Sequence, residues 1–155
     1  MLGGLALLAL STSGALADQA MERVEVKTTP DKAWAAVGDF CAIKDWHPAI
    51  VSCELDADGK KRIRTLTTKD GSKIVEQETY RNDAGHSYGY TILESPLPVE
   101  SYHATIRILP IEPGRVSIVW SSSYKSKGPA ADAQKAVSGI YSAGLENLKA
   151  QLEGH

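Results

Sequence analysis

RVSIVWSSSYKSKGPAADAQKAVSGIYSAGLENLKAQLE, residues 115–153, changes its period halfway along. As far as Lys125, the residues Val116, Ile118, Trp120, Ser122 and Tyr124 occupy every second position, the alternation of a strand with one buried face. Beyond Lys127-Gly128-Pro129 the spacing lengthens. Val137, Ile140, Tyr141, Gly144, Leu145, Leu148 and Leu152 recur at three and four, which predicts an amphipathic helix over residues 130–153.

Upstream of that switch, period two holds for most of the chain. The runs are IVSCEL (50–55), RIRTLTT (62–68), KIVEQETY (73–80), HSYGYTIL (86–93) and VESYHATIRIL (99–109). They are separated by DADGK, KDG, RNDAG, SPLP and PIEPG, all rich in turn formers, and such short connections make neighbouring strands antiparallel. ERVEVKT (22–28) adds a first strand. TPDKAWAAVGDF (29–40) then starts a short helix, with Thr29 as cap, Pro30 in the first turn and Gly38 at the end. One strand, a helical segment, six antiparallel strands and one long C-terminal helix define an α+β chain. A flat sheet of seven strands would leave a face that one helix cannot cover, so the sheet must curl around the helix and enclose a space.

Composition narrows the function classes. The net charge of −2 offers no basic excess for a phosphate backbone, so nucleic acid is not an expected partner. The glycines are scattered, with no phosphate-binding loop. Residues 1–17 contain the apolar run LGGLALLAL and end in Ala15-Leu16-Ala17, the form of a signal peptide and its cleavage site, although no Lys or Arg precedes the run. The run is shorter than the roughly 20 residues of a spanning helix, so no stable membrane anchor is expected. The mature domain is expected to begin at Asp18 and to be periplasmic or secreted.

The order of these elements, with WHPAI (46–50) after the first helical segment, resembles the helix-grip fold of the START/Bet v 1-like (SRPBCC) superfamily. RTLTTKDGSKIVEQETY (64–80), YTILESPLPVESYHATIRILP (90–110) and VSIVWSSSY (116–124) are similar to its polyketide cyclase/dehydrase-like branch. An exported member also resembles the periplasmic accessory proteins of bacterial methanol oxidation. The resemblance implies a single domain over residues 18–155, a curved seven-stranded antiparallel sheet around a long C-terminal helix. It leaves the activity open, since that fold hosts lipid carriers, hormone receptors and cyclases.

Which residues face the enclosed space follows from register. A three-residue Lys69-Asp70-Gly71 hairpin loop sets Thr68 opposite Ser72, Leu66 opposite Ile74, Arg64 opposite Glu76 and Arg62 opposite Glu78. One apolar pair and two opposite-charge pairs from one assumption support that register. Arg64 and Glu76 then either line the wet face of the sheet or anchor a ligand inside it. Tyr88, Tyr90, Tyr102 and Trp120 share the inner faces of their strands, and Tyr141 lies on the apolar stripe of the helix. Each fits an ordinary core position; together they describe an aromatic wall with hydroxyls for a ligand or water. Gly139 and Gly144 inside the helix cost about 1 kcal/mol each against alanine, which calls for close packing or room for a guest.

Cys41 and Cys53, the only two cysteines, bracket Trp46-His47-Pro48. A metal reading would use Cys41, His47 and Cys53, with Asp45 or His103 as fourth ligand, but the spacing is unlike structural zinc sites. A nucleophile reading would need a thiolate beside His47. The disulfide reading fits an oxidising compartment, would contribute about 3 kcal/mol, and would fix the loop at the mouth of the cavity with Trp46 and His47 presented there. The expected function is an exported protein that binds a small, largely apolar or amphipathic molecule in an aromatic-lined cavity, without metal or cofactor. The rivals are a cyclase- or dehydratase-like enzyme using Glu76, Arg64, Tyr90 or His47, and an accessory protein for another periplasmic enzyme.

Overall fold

The computed structural model describes residues 16–57 and 60–154. Residues 1–15, which hold most of the expected signal peptide, lie outside them. The elements run β1 (Asp18–Val26), α1 (Pro30–Val37), α2 (Ile43–Trp46), β2 (Ile50–Ala57), β3 (Arg62–Thr68), β4 (Lys73–Asn82), β5 (Ser87–Glu94), β6 (Val99–Glu112), β7 (Arg115–Ser126) and α3 (Ala130–Glu153). All seven strands join one antiparallel sheet in the order β1-β7-β6-β5-β4-β3-β2. Register shifts at Ile50/Ser52, Val75/Glu76, Glu78/Tyr80, Glu100/His103 and Pro110/Glu112 interrupt the ladders. Such bulges bend strands and raise their twist. The bent sheet holds α3 on its concave side, and this is the helix-grip fold.

The local signals act as expected at most boundaries. Thr29 Oγ1 accepts the Lys32 amide at 3.4 Å and Pro30 opens α1. Gly71 takes φ +86° in the β3–β4 turn, and the Thr68 amide donates to the Ser72 carbonyl at 3.0 Å. The register that follows sets Leu66 opposite Ile74 and Arg64 opposite Glu76. Two details differ. β1 starts at Asp18, four residues before the alternation of ERVEVKT, because Asp18 to Met21 pair with Tyr124 to Ser121 of β7. The single turn α2 was not expected; four residues are too few to display a helical period.

α3 buries Ala133, Val137, Tyr141, Gly144, Leu145 and Leu148. They pack toward the inner sheet residues Ile106, Ile108, Val116, Ile118 and Trp120 within one apolar core. Removing a side chain of this size from water stabilises the fold by about 1.5–3 kcal/mol. The same stripe places Tyr141 against the aromatic wall of the sheet.

Candidate functional site

Arg64 lies on β3, an inner position that alternation reserves for core side chains, and is completely buried. Its Nε donates to Glu76 Oε2 at 2.6 Å, Nη2 lies 2.6 Å from the same oxygen, and Nη1 donates to the Phe40 carbonyl. The guanidinium also lies over the rings of Phe40, at 4.1 Å, and Tyr90, at 5.0 Å. Burial, the largest influence, would lower the Arg64 pKa, but the Glu76 carboxylate together with Tyr88 and Tyr90 outweighs it and holds the guanidinium charged. Two further ion pairs, Arg62–Glu78 at 3.2 Å and Arg81–Glu78 at 2.8 Å, extend the polar row toward the strand ends.

Beside this pair runs a chain of hydroxyls. Trp120 Nε1 donates to Tyr90 Oη at 2.9 Å, Tyr90 Oη meets Tyr102 Oη at 3.5 Å, and Tyr102 Oη bonds Tyr141 Oη. Burial pushes Tyr90 and Tyr102 well above the usual phenol range, and raises Tyr141 as well. These hydroxyls therefore stay protonated at neutral pH. The row of residues across the sheet from Tyr90 continues as Ala104, Ser122 and Ala20, whose small side chains leave space under α3. Tyr141 fills part of it, stacked on Trp120 with centroids 4.3 Å apart.

What remains is an internal cavity of about 30 Å³, room for a few waters and far below an organic ligand. Glu76, Tyr90, Tyr102, Trp120 and Tyr141 line it, with Ile43, Leu66, Ile74, Ile92, Leu97, Val137 and Ile140. Arg64 stands behind Glu76 and does not line the cavity. Tyr88 is turned toward α1, its ring 5.8 Å from Phe40 and 6.2 Å from Trp34.

The Cys41–Cys53 disulfide is present, with Cα atoms 5.5 Å apart. No group of His, Cys, Asp and Glu suited to a metal occurs among the described residues. The segment that the disulfide fixes turns its tip into the core, the alternative fate of Trp46, and neither Trp46 nor His47 lines the cavity. Trp46 and His47 keep only 1% and 3% of their surface exposed, wedged against Trp120 and α3. His47 Nδ1 accepts the Ala49 amide at 3.1 Å, so Nε2 carries the proton and donates to the Ile140 carbonyl at 3.0 Å. Burial lowers its pKa. A neutral imidazole with both nitrogens occupied packs the wall and has no lone pair left for proton transfer. Gly144 explains the close approach: a Cβ there would lie 2.6 Å from His47 Cδ2 and 2.9 Å from Trp46 Cζ3.

Sequence reasoning missed Phe40, Leu97 and the α3 clasp on α2. Phe40 contributes its carbonyl to Arg64, and carbonyl direction leaves no mark in side-chain periodicity. The Asn147 amide donates to the Trp46 carbonyl at 2.8 Å and the Gln151 amide to the Asp45 carbonyl at 2.9 Å. With Ile140 and Gly144 they form a second stripe of α3, and its polar members could have been read as pointing to backbone rather than to water.

Comparison with known proteins supports this architecture. The protein XoxI from Bacillus cereus is 29% identical over 87% of this chain and 95% of its own, with a TM-score of 0.83. The aromatase/cyclase Zhui from Streptomyces sp. R1128 is 14% identical over 88% of this chain and 94% of its own, with a TM-score of 0.74. Norcoclaurine synthase from Thalictrum flavum, solved with dopamine and hydroxybenzaldehyde, is 18% identical over 97% and 98%, with a TM-score of 0.69. The last two share the fold alone. No curated protein matches the chain. The family model described as "Polyketide cyclase / dehydrase and lipid transport" matches residues 19–153, and the chain belongs to that family.

Proposed function

We propose that the protein binds a small, largely apolar molecule between the sheet and α3, and that it does so after export. The observation that carries this reading is the buried Arg64–Glu76 pair, of which Glu76 lines the cavity beside the Tyr90–Tyr102–Tyr141 hydroxyls. Buried charges cost stability that apolar residues of similar volume would not. A few fixed polar groups in an apolar surround are what orients a small ligand. The family description, which includes lipid transport, agrees with carriage. Export accords with the disulfide and with the absence, among the described residues, of a helix long and apolar enough to cross a membrane.

At about 30 Å³ the cavity is too small for an organic molecule, so binding requires the walls to part. Tyr141 and Trp120 occupy the space a guest would take. An acid–base enzyme is the weaker reading, because His47 is committed to two backbone bonds and the Glu76 carboxylate is held by the Arg64 guanidinium.

Native mass spectrometry of protein taken without reductant from the periplasm of its own host tests the carrier. A mass two units below that of the mature dithiol chain from Asp18, with an added organic passenger, is expected. An empty protein that co-purifies with another enzyme would replace the carrier by an accessory role. Retained binding with lost turnover in Glu76→Gln would replace it by a catalyst.

A further inference from the structure

We propose that the guest is neutral and offers a hydrogen-bond donor, a hydroxyl or an N–H, to Glu76 Oε1, which makes that oxygen the specificity-determining atom of the site. The proposal rests on the binding reading above.

Two carboxylates stand two positions apart on β4, equally withdrawn from water, with side chains 7% exposed at Glu76 and 8% at Glu78. Their oxygens are used differently. Glu78 has both engaged: Arg62 lies 3.2 Å from Oε2, and Arg81 donates to Oε1 at 2.8 Å. Glu76 has one. Arg64 brings Nε and Nη2 to the same Oε2, each at 2.6 Å, and among the described residues nothing donates to Oε1. Nor is Oε1 sealed in by its neighbours, since Glu76 lines the internal cavity.

A charged acceptor that meets no donor is among the costlier groups a core can hold. The hydroxyls around the cavity do not relieve it. Tyr90, Tyr102 and Tyr141 bond to one another, Trp120 donates to Tyr90, and none of these groups reaches Oε1. What satisfies this oxygen has to enter the cavity.

The chemistry of the guest follows. A carboxylate oxygen accepts and cannot donate, so a guest led by a carbonyl or an ether finds no partner there, whereas an O–H or N–H does. A hydrogen bond to an ionised group is roughly twice as strong as one between neutral groups, so this single contact ranks guests of similar shape. Charge decides between a neutral donor and an ammonium. The Arg64 guanidinium already balances Glu76, and a further cation beside the pair would be an unpaired charge in an apolar space. The aromatic walls attract cations, but by less than desolvating such a charge costs.

Three naphthalenes test this on the disulfide-bonded protein by calorimetric titration at neutral pH: 1-naphthol, 1-methoxynaphthalene and 1-naphthylmethylammonium. The ether keeps the oxygen of the naphthol and lacks its proton. 1-Naphthol is expected to bind about ten-fold tighter than either of the others, the worth of one hydrogen bond to a charged group. Naphthol and ether binding alike would leave Oε1 to water and overturn the donor rule; an ammonium that binds tightest overturns neutrality. The preference for naphthol over ether should survive Tyr141→Phe and vanish in the double variant Arg64→Met with Glu76→Leu. Glu76→Asp keeps the charge, withdraws it by one methylene and should weaken the preference, which serves if the double variant does not fold. A preference lost in Tyr141→Phe, or unchanged in the Glu76 variants, assigns recognition to a hydroxyl and overturns the role of Oε1. Equal binding of all three overturns this proposal alone. If none of the three binds, the carrier reading falls and takes the proposal with it.

Discussion

Burying Arg64 and Glu76 together takes two charges out of water, and their attraction repays this only while both are present. Glu76→Gln should therefore cost about 3 kcal/mol or more in urea unfolding, because Arg64 would be left charged and without its partner. The double change Arg64→Met with Glu76→Leu should recover most of that loss, and no recovery would mean the pair stabilises the fold in its own right. His47 allows a second prediction. Its folded pKa lies below the ordinary 6.5, so above that value both folded and unfolded chains hold it neutral and its contribution is complete. As pH falls below 6.5 the unfolded chain gains a proton that the folded one resists, and stability is lost until the lowered folded value is passed. The melting temperature of the native protein should fall as the pH drops below about 6.5. Of the charged groups, Arg64 presses in the same direction. His47→Gln should flatten that slope; an unchanged slope would assign it to carboxylates.

At the scale of elements, α3 carries two glycines of opposite meaning. A Cβ at Gly139 would meet nothing within 4 Å, whereas at Gly144 it would run into His47 and Trp46. Gly139→Ala should stabilise the protein by about 0.5–1 kcal/mol, and Gly144→Ala should destabilise it by about 1–3 kcal/mol; denaturant midpoints of the two variants settle both signs. The disulfide gives a further number. Reduction reopens a link across 12 positions and should cost about 3 kcal/mol, measured as the difference between unfolding curves with and without reductant. The strands and α3 were legible because their residues repeat along the chain. The Arg64–Glu76 pairing was legible because a glycine turn fixes register. Whether Trp46 and His47 faced in or out was not, since their burial depends on a notch in another element, at Gly144. The orientation of Tyr88 was hidden for the same reason: α1 and Phe40, far from it in sequence, claim its ring.

At the scale of the molecule, a long curved sheet closes over one helix, and the space between is nearly filled by that helix's own Tyr141 and by Trp120. Sequence pattern predicted an enclosed space; its volume depends on rotamers and curvature, which no periodicity contains. The sheet has one more property. Its first strand pairs with its last, Asp18 opposite Tyr124 and Val26 opposite Val116. β1 can find its partner only once the chain has been delivered as far as β7, with the whole of the sheet between them. Contacts so distant along the chain make for slow folding, because loop closure must be completed before they are rewarded. Until β1 docks, β7 stays an unpaired edge, so the hairpins from β2 onward form first and the N-terminal strand seals the sheet last.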